Sequence, residues 1–399
     1  MKRTLAASLL LSGAAAHLAA QAVRPVRAPR DTTRWRFTRG ILPDLGGQMG
    51  LGVNLRFGLL APDGAGPSAI TGAVGADLHA GTTGSRSAAL VLLAPALHRD
   101  WHLLALVRAE RLMRTPYFGP HNEGRADDSL QDQNGPLYYR YALLRTTGFI
   151  TIQRRVAGPV WLYLGGQARY YRATAHRQSP TLYGLDFGAA SDSTRWLGLE
   201  GRAGMLVDTR DDWVAPRRGL LLEAIVSAGR LTRHDNDSTT PYRRWLVGAR
   251  EFLTLDDSAR TVLALRQRLS MAGDTLPYFL AYEQLTSWAP EDGVASPQLM
   301  RLHGIGNQLA SNTVTVSVEL RRKLLDSTEE PKQAKGLWGL VFGDGSVLWE
   351  PHTSASLRRS TWTIGAGLRL QTGRHSLLGL DLGWADTGPS ATVTSSFGF

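Results

Sequence analysis

The sequence predicts an all-β protein, a transmembrane antiparallel β-barrel of about 16 strands. Three observations predict it. Apolar and polar residues alternate with period two in segment after segment, the apolar sets are rich in Leu, Val, Ile and aromatics, and no apolar run beyond residue 22 is long enough for a spanning helix. Period two marks strands whose two faces meet different surroundings. Inside lipid every backbone N–H and C=O must find a partner, so a chain without apolar helices crosses only as a closed sheet.

The clearest span is Thr313 to Arg321, with Val314, Val316, Val318 and Leu320 on one face and Thr313, Thr315, Ser317, Glu319 and Arg321 on the other. Trp362, Ile364, Ala366 and Leu368 oppose Thr361, Thr363, Gly365, Gly367 and Arg369 in the same way. Leu378, Leu380, Leu382 and Trp384 oppose Gly379, Asp381 and Gly383, and Leu162, Leu164, Ala168 and Tyr170 oppose Tyr163, Gln167 and Arg169. One face therefore suits lipid and the other a hydrated lumen. Sixteen candidate spans follow: 49–60, 69–80, 87–97, 101–112, 138–155, 159–172, 195–208, 219–230, 241–255, 260–272, 276–285, 311–324, 336–349, 358–371, 375–385 and 390–399. Short turns such as His98-Arg99-Asp100 alternate with longer loops at 113–137, 173–194, 231–240, 286–310 and 325–335, which are expected on the outside. Trp161, Trp196, Trp245, Trp338, Trp362, Trp384, Phe397 and Phe399 fall near strand ends, where interface girdles would lie.

Met1 to Ala22 has the make-up of a secretory signal peptide: Lys2 and Arg3, an apolar stretch from Leu5 to Ala16, and the small residues of Ala20-Gln21-Ala22, which place the mature start at Val23. Residues 23–48 form a basic N-terminal segment, expected to be periplasmic or lumenal, and residues 49–399 the barrel. The expected location is the outer membrane of a Gram-negative-type bacterium. The chain has no Cys, which excludes disulfides, thiolate metal sites and cysteine nucleophiles. Its formal charge of +11 is carried almost wholly by Arg, because only Lys2, Lys323, Lys332 and Lys335 are lysine. That charge is interleaved with apolar residues and accompanies no groove-entering helix, so nucleic acid is not an expected partner. No Gly-x-Ser-x-Gly elbow and no phosphate loop occurs, and His98 and His102 lack a third ligand nearby, so no catalytic residue, metal or cofactor is expected.

Several motifs, in order, resemble those of the Omp85 superfamily, the surface-antigen barrels of the BamA and TamA type. Tyr117-Phe118-Gly119-Pro120-His121-Asn122-Glu123 is similar to the family's F-x-G-x-G-N-E/D loop. Asp208-Thr209-Arg210-Asp211-Asp212, with Pro216 and Arg218-Gly219, is similar to its D-T-R-D-N…P-x-x-G turn. Leu302-His303-Gly304-Ile305 lies where the family has L-R-G-Y/F, in a loop that folds into the barrel, and Glu319-Leu320-Arg321 and Phe342-Gly343-Asp344-Gly345 follow at the expected distances. Gly365-Ala366-Gly367-Leu368-Arg369, Asp381-Leu382-Gly383 and the terminal Phe397-Gly398-Phe399 complete the series. There is no room for the family's POTRA domains, and His303 and Ile305 replace the inward loop's Arg and aromatic residue.

The resemblance implies insertion, assembly or translocation of outer-membrane proteins through a weak seam between first and last strands, here 49–60 and 390–399. Glu319, Asp344 and Arg369 are then the expected lumenal partners of the loop at Leu302 to Ile305. Asp208, Arg210, Asp211, Asp212 and Gly219 are expected to fix a strand end and its turn. Phe397 and Phe399 resemble the signal by which the Bam machinery reads an outer-membrane barrel, which implies contact with that machinery and with periplasmic chaperones during biogenesis. Outer-membrane lipids, lipopolysaccharide and client polypeptides are the remaining expected partners. The other reading is a passive, anion-leaning pore or a structural surface barrel, because Arg169, Arg202, Arg266, Arg268, Arg321 and Arg369 all face the predicted lumen.

Overall fold

The computed structural model describes residues 36–46, 50–62, 70–98, 100–119, 127–176, 180–188, 194–211, 216–274, 276–281, 283–287, 291–292, 310–326, 336–351, 360–371, 377–386 and 388–394. Sixteen antiparallel strands form one sheet. In chain order they are β1 (Arg36–Gly46), β2 (Gly50–Pro62), β3 (Ile70–Gly81), β4 (Arg86–His98), β5 (Trp101–Pro116), β6 (Arg140–Ala157), β7 (Val160–Thr174) and β8 (Thr194–Asp208). They continue with β9 (Gly219–Arg233), β10 (Thr239–Thr254), β11 (Thr261–Ala272), β14 (Asn312–Asp326), β15 (Gly336–Trp349), β16 (Ser360–Gln371), β17 (Leu377–Ala385) and β18 (Gly388–Thr394). Each wall strand pairs with its neighbours in sequence, and β1 and β18 stand at the two ends of the order. Between β11 and β14 lie a short helix, α3 (Tyr278–Ala281), and a separate pair of two-residue strands, β12 (Glu283–Gln284) and β13 (Glu291–Asp292). Two more short helices occupy loops: α1 (Asp128–Asn134) between β5 and β6, and α2 (Leu182–Phe187) between β7 and β8.

The number of wall strands matches the prediction, but two memberships are exchanged. Residues 276–285, expected as a span, leave the wall and form α3 and β12. Residues 36–46, assigned to the basic N-terminal segment, enter it as β1, in register from Arg36↔Leu60 to Gly46↔Gly50. The barrel therefore begins at Arg36 instead of residue 49. The stretch expected at the seam, 49–60, is β2, paired on both sides with β1 and β3. Two of the expected loops also change. The segment 231–240 shrinks to a tight turn at 234–238, where Asp237 adopts φ +52°. β14 ends and β15 begins at the opposite end of the barrel from the β5–β6, β7–β8 and β11–β14 connections, because antiparallel neighbours put alternate connections at alternate ends. The start of β1 and the end of β18 share that end with the end of β14.

Alternation sorts the side chains as the pattern requires. Leu164, Val247, Ile364 and Trp384 stand on the outer surface, with Leu164 67% exposed, while Arg169, Glu200, Glu319, Arg321, Arg369 and Asp381 are buried inside. An outer face of Leu, Val and Ile, over which no second layer lies among the described residues, fits hydrocarbon. The aromatic girdle is only partly as expected. Trp245, Trp362 and Trp384 face outwards, whereas Trp161 and Trp338 turn inwards; Trp161 packs on His102 with ring centroids 4.2 Å apart. Phe397 and Phe399 lie outside the described residues.

The interior is packed where a hydrated lumen was expected. On β3 to β6 part of the inner face is apolar as well, with Ala73, Val91, Leu93, Leu104, Leu106 and Phe149 in one buried cluster. That second apolar face is why the early strands alternate less cleanly in sequence.

Candidate functional site

The connection from β11 to β14 runs into the barrel. All four residues of α3 are buried, and the strand-like stretch after it lies against the inner wall. Four wall strands hold it. Gln153 Nε2 on β6 donates to the Ser287 carbonyl (3.3 Å), and Arg244 Nη1 on β10 to the Glu283 carbonyl (3.1 Å). Arg268 on β11 donates to the Leu285 carbonyl, and Leu285 itself packs with Tyr163, Ile225 and Leu246. On β7, Arg169 forms an ion pair with the Glu283 carboxylate (2.7 Å), which also accepts a hydrogen bond from Tyr171 OH (3.3 Å). Backbone carbonyls that would otherwise be orphaned inside the barrel are thus satisfied by guanidinium and amide donors.

A second carboxylate, Glu200 on β8, organises the same region. It receives Arg244 Nη2 at 2.6 Å, Arg202 Nε at 2.7 Å, Tyr242 OH at 2.8 Å and Arg169 Nη1 at 3.2 Å. Three guanidiniums therefore share two carboxylates, one fixed in the wall and one carried by the connection. Arg202 also lies over the Phe149 ring, 5.3 Å from its centroid. In a region shielded from water such charge-assisted bonds are strong, and the loss of any one partner leaves a buried charge exposed to its own desolvation cost.

Above this network, at the end of the long loops, aromatic rings pack together. Tyr117, from the predicted loop motif, is buried against Tyr278 (5.0 Å between centroids), Tyr183 (5.2 Å) and Phe187 (5.9 Å), and its hydroxyl donates to Asp186 Oδ2 at 2.7 Å. Tyr141 stacks on Tyr183 at 5.1 Å. Edge-to-face packing of this kind draws three loops into one lid: the β5–β6 loop through Tyr117, the β7–β8 loop through α2, and the β11–β14 connection through α3.

The turn motif lies at the other end. Asp208 and Arg210 form a two-point ion pair (2.9 and 2.8 Å), and Asp211 Oδ1 accepts from the Arg217 and Arg218 amides at 2.9 and 3.2 Å. Gly219 has φ +105°, and a side chain there would overlap the Thr209 carbonyl. The turn also leans under the barrel, for Arg321 Nη1 on β14 donates to the Pro216 carbonyl at 3.3 Å. Asp212 is outside the described residues.

The three expected partners of the inward motif occupy neighbouring strands, β14, β15 and β16. Glu319 is bonded to Arg321 two positions along β14, Asp344 accepts from Thr363 Oγ1 at 3.0 Å, and Arg369 makes a two-point pair with Asp381 at 2.7 and 2.8 Å. Leu302, His303, Gly304 and Ile305 lie outside the described residues. Sequence reasoning did not single out Glu200, Arg244, Glu283 or the tyrosine lid. Glu200 and Arg244 fall within the predicted spans 195–208 and 241–255 without an assigned role, and Glu283 falls in the predicted span 276–285.

A sixteen-stranded barrel with an apolar outer belt and a connection pinned inside its lumen is an outer-membrane type of barrel. No family model and no curated protein matches the sequence. Among solved structures the chain is similar to BamA from Haemophilus ducreyi lacking POTRA domains 1–3, with 13% identity, a TM-score of 0.54, and 90% of this chain and 67% of that chain covered. It is also similar to CdiB from Escherichia coli, with 14% identity, a TM-score of 0.53, and 90% of this chain and 61% of that chain covered. The chain thus has the fold of these BamA and CdiB barrels and spans about two thirds of their length.

Proposed function

We propose that this barrel takes part in the insertion, assembly or translocation of outer-membrane polypeptides. The observation that carries the reading is at the two ends of the strand order: β1 and β18 each hold a proline within the strand, Pro43 and Pro389. Proline has no N–H to donate to a ladder and belongs on edge strands or at bulges. A weakened edge offers backbone groups to an incoming strand, the interaction by which extended peptides add to sheets. The charge-matched inner face favours the same reading over a passive pore, because the inward arginines are matched by Glu200, Glu283, Glu319 and Asp381 or by lumenal acceptors.

On this reading the residues before Val23 direct export and are removed. The terminal strand with Phe397 and Phe399 engages the Bam machinery, after periplasmic chaperones have delivered the chain to a lipopolysaccharide-bearing membrane. The barrel itself performs no bond-making chemistry. The test is refolding of an unfolded reporter barrel into liposomes that contain the full chain. Faster folding than in empty liposomes, and than in liposomes holding an unrelated barrel, is the expected result; equal rates would overturn the reading in favour of an anion-leaning pore or a structural barrel.

A further inference from the structure

We propose that Arg169, Arg202 and Arg244 form a carboxylate-binding site in the lumen, that Glu283 is its ligand in cis, and that an acidic extended peptide displaces Glu283 and releases the β11–β14 connection. The site has more donors than its two carboxylates satisfy. Arg202 Nη1 and Nη2 are buried and bonded to neither carboxylate, Ser227 Oγ is buried without a hydrogen bond, and Gln167 turns to Glu200 beside them. They share the inner face of adjacent strands, since Gln167 is in register with Glu200 and Arg202 with Ser227, which in turn is in register with Arg244. Buried donors of this kind carry a desolvation cost that an added carboxylate would offset, and the planar fork of guanidinium matches a carboxylate in two-point geometry.

The cis ligand indicates the chemistry of its competitor. Glu283 begins a strand-like segment whose carbonyls, at Glu283, Leu285 and Ser287, are read by Arg244, Arg268 and Gln153. Any extended peptide supplies such carbonyls. The carboxylate on Arg169 and the apolar Leu285 side chain two residues later are the contacts that depend on sequence, so a peptide with one acidic residue and a Leu two positions on reproduces the whole pattern. The inference is independent of insertase activity, because it is read by ion conductance with no client barrel present.

The full chain in planar lipid bilayers provides the test, with three probes: a short Glu-containing peptide, the same peptide with Gln in its place, and acetate. The Glu peptide should raise the ratio of open to closed time about tenfold, the size of shift that a modest difference in affinity between two states produces. The Gln peptide should not. Glu283→Gln should open the channel to a similar degree unaided and no longer respond. Silence of the Glu peptide overturns the proposal, as does a wild-type trace from Glu283→Gln, and acetate acting as well as the peptide overturns the assignment to a polypeptide. Should Glu283→Gln fail to fold, Gln153→Cys with Ser287→Cys, joined by a short thiol cross-linker, replaces it. The response to the Glu peptide must then vanish on cross-linking, and its persistence overturns the proposal.

Discussion

Arg169 on β7 and Glu283 on the β11–β14 connection meet at 2.7 Å inside the barrel, both fully or nearly fully buried. The pair joins the wall to the segment that fills it, and Glu200 ties the same arginine to Arg202 and Arg244 through one carboxylate. The lumen is thus a polar core built from wall strands and a connection, with stability that depends on matched charge.

Glu200 is the most connected acid of that core. Glu200→Gln removes the charge shared by three guanidiniums and is expected to destabilise the barrel by about 3 kcal/mol, the usual cost of stripping one partner from a buried ionic group. Tyr242→Phe removes one hydroxyl donor to the same carboxylate and should cost about 1.5 kcal/mol. Urea unfolding in bilayers measures both, and equal midpoints for Glu200→Gln and wild type would show that the network contributes nothing.

Arg369 and Asp381 lie flat across β16 and β17 because glycine stands beneath them. A Cβ at Gly379 would come within 2.7 Å of Arg369 Nε. Gly379→Ala should therefore push the guanidinium off Asp381 and cost roughly 2 kcal/mol. An Arg369→Ala, Gly379→Ala double variant should recover part of the loss that the two single changes would give if they added. Strict additivity would mean that the glycine is there for another reason.

The outer face can be probed by depth. Val247, 58% exposed near the middle of β10, faces the expected centre of the bilayer, whereas Val156 lies at the end of β6. Val247→Arg is expected to cost about 2–4 kcal/mol and Val156→Arg about 0–1 kcal/mol. Similar costs at the two sites in lipid would contradict the membrane orientation.

The turn between β10 and β11 carries a pH signature. The Thr261 side chain, the Arg260 amide (2.8 Å) and the Ser258 hydroxyl (3.0 Å) donate to Asp256 and hold its carboxyl at about 2. A depressed carboxylate stabilises the fold where it is ionised, so its contribution is complete above the unfolded value of about 4 and disappears as pH falls towards about 2. The difference in urea midpoint between wild type and Asp256→Asn should be constant above about pH 5 and shrink to nothing in that window. Ala259 in the same turn has φ +51°. Ala259→Gly should stabilise by about 0.5 kcal/mol, the left-handed strain relieved less the entropy of glycine.

The seam prediction is tested in a chain with no native Cys. One cysteine placed in β1 and one in β18, joined by oxidation, should abolish acceleration of reporter folding, and reduction should restore it. Gly58→Cys with Gly75→Cys, a register pair of β2 and β3, is the control that should leave activity unchanged. Full activity in the oxidised β1–β18 form would remove the seam from the mechanism.

Much of the wall was legible because strand alternation is a local property. Val314 to Leu320 and Leu378 to Trp384 read as outward faces from the sequence alone, and the structure places Val316, Val318, Leu320, Leu378, Leu380, Leu382 and Trp384 there. Two segments misled for physical reasons. Residues 276–285 are a short apolar run without clean period two, which a buried helical turn satisfies as well as a strand. Residues 36–46 carry Arg36, Arg39 and Pro43, which weaken any strand reading, yet an edge strand tolerates a proline.

From the sequence alone came the all-β class, the outward apolar faces, the order of the motifs and the number of strands. Only the tertiary structure decided which segments make up that number, that the β11–β14 connection enters the lumen, and which charges meet. Period two identifies a face from a few neighbouring residues. Whether Arg169 finds Glu283, or Arg369 finds Asp381, depends on register and on the path of a connection, and both are set by contacts between residues far apart in the chain.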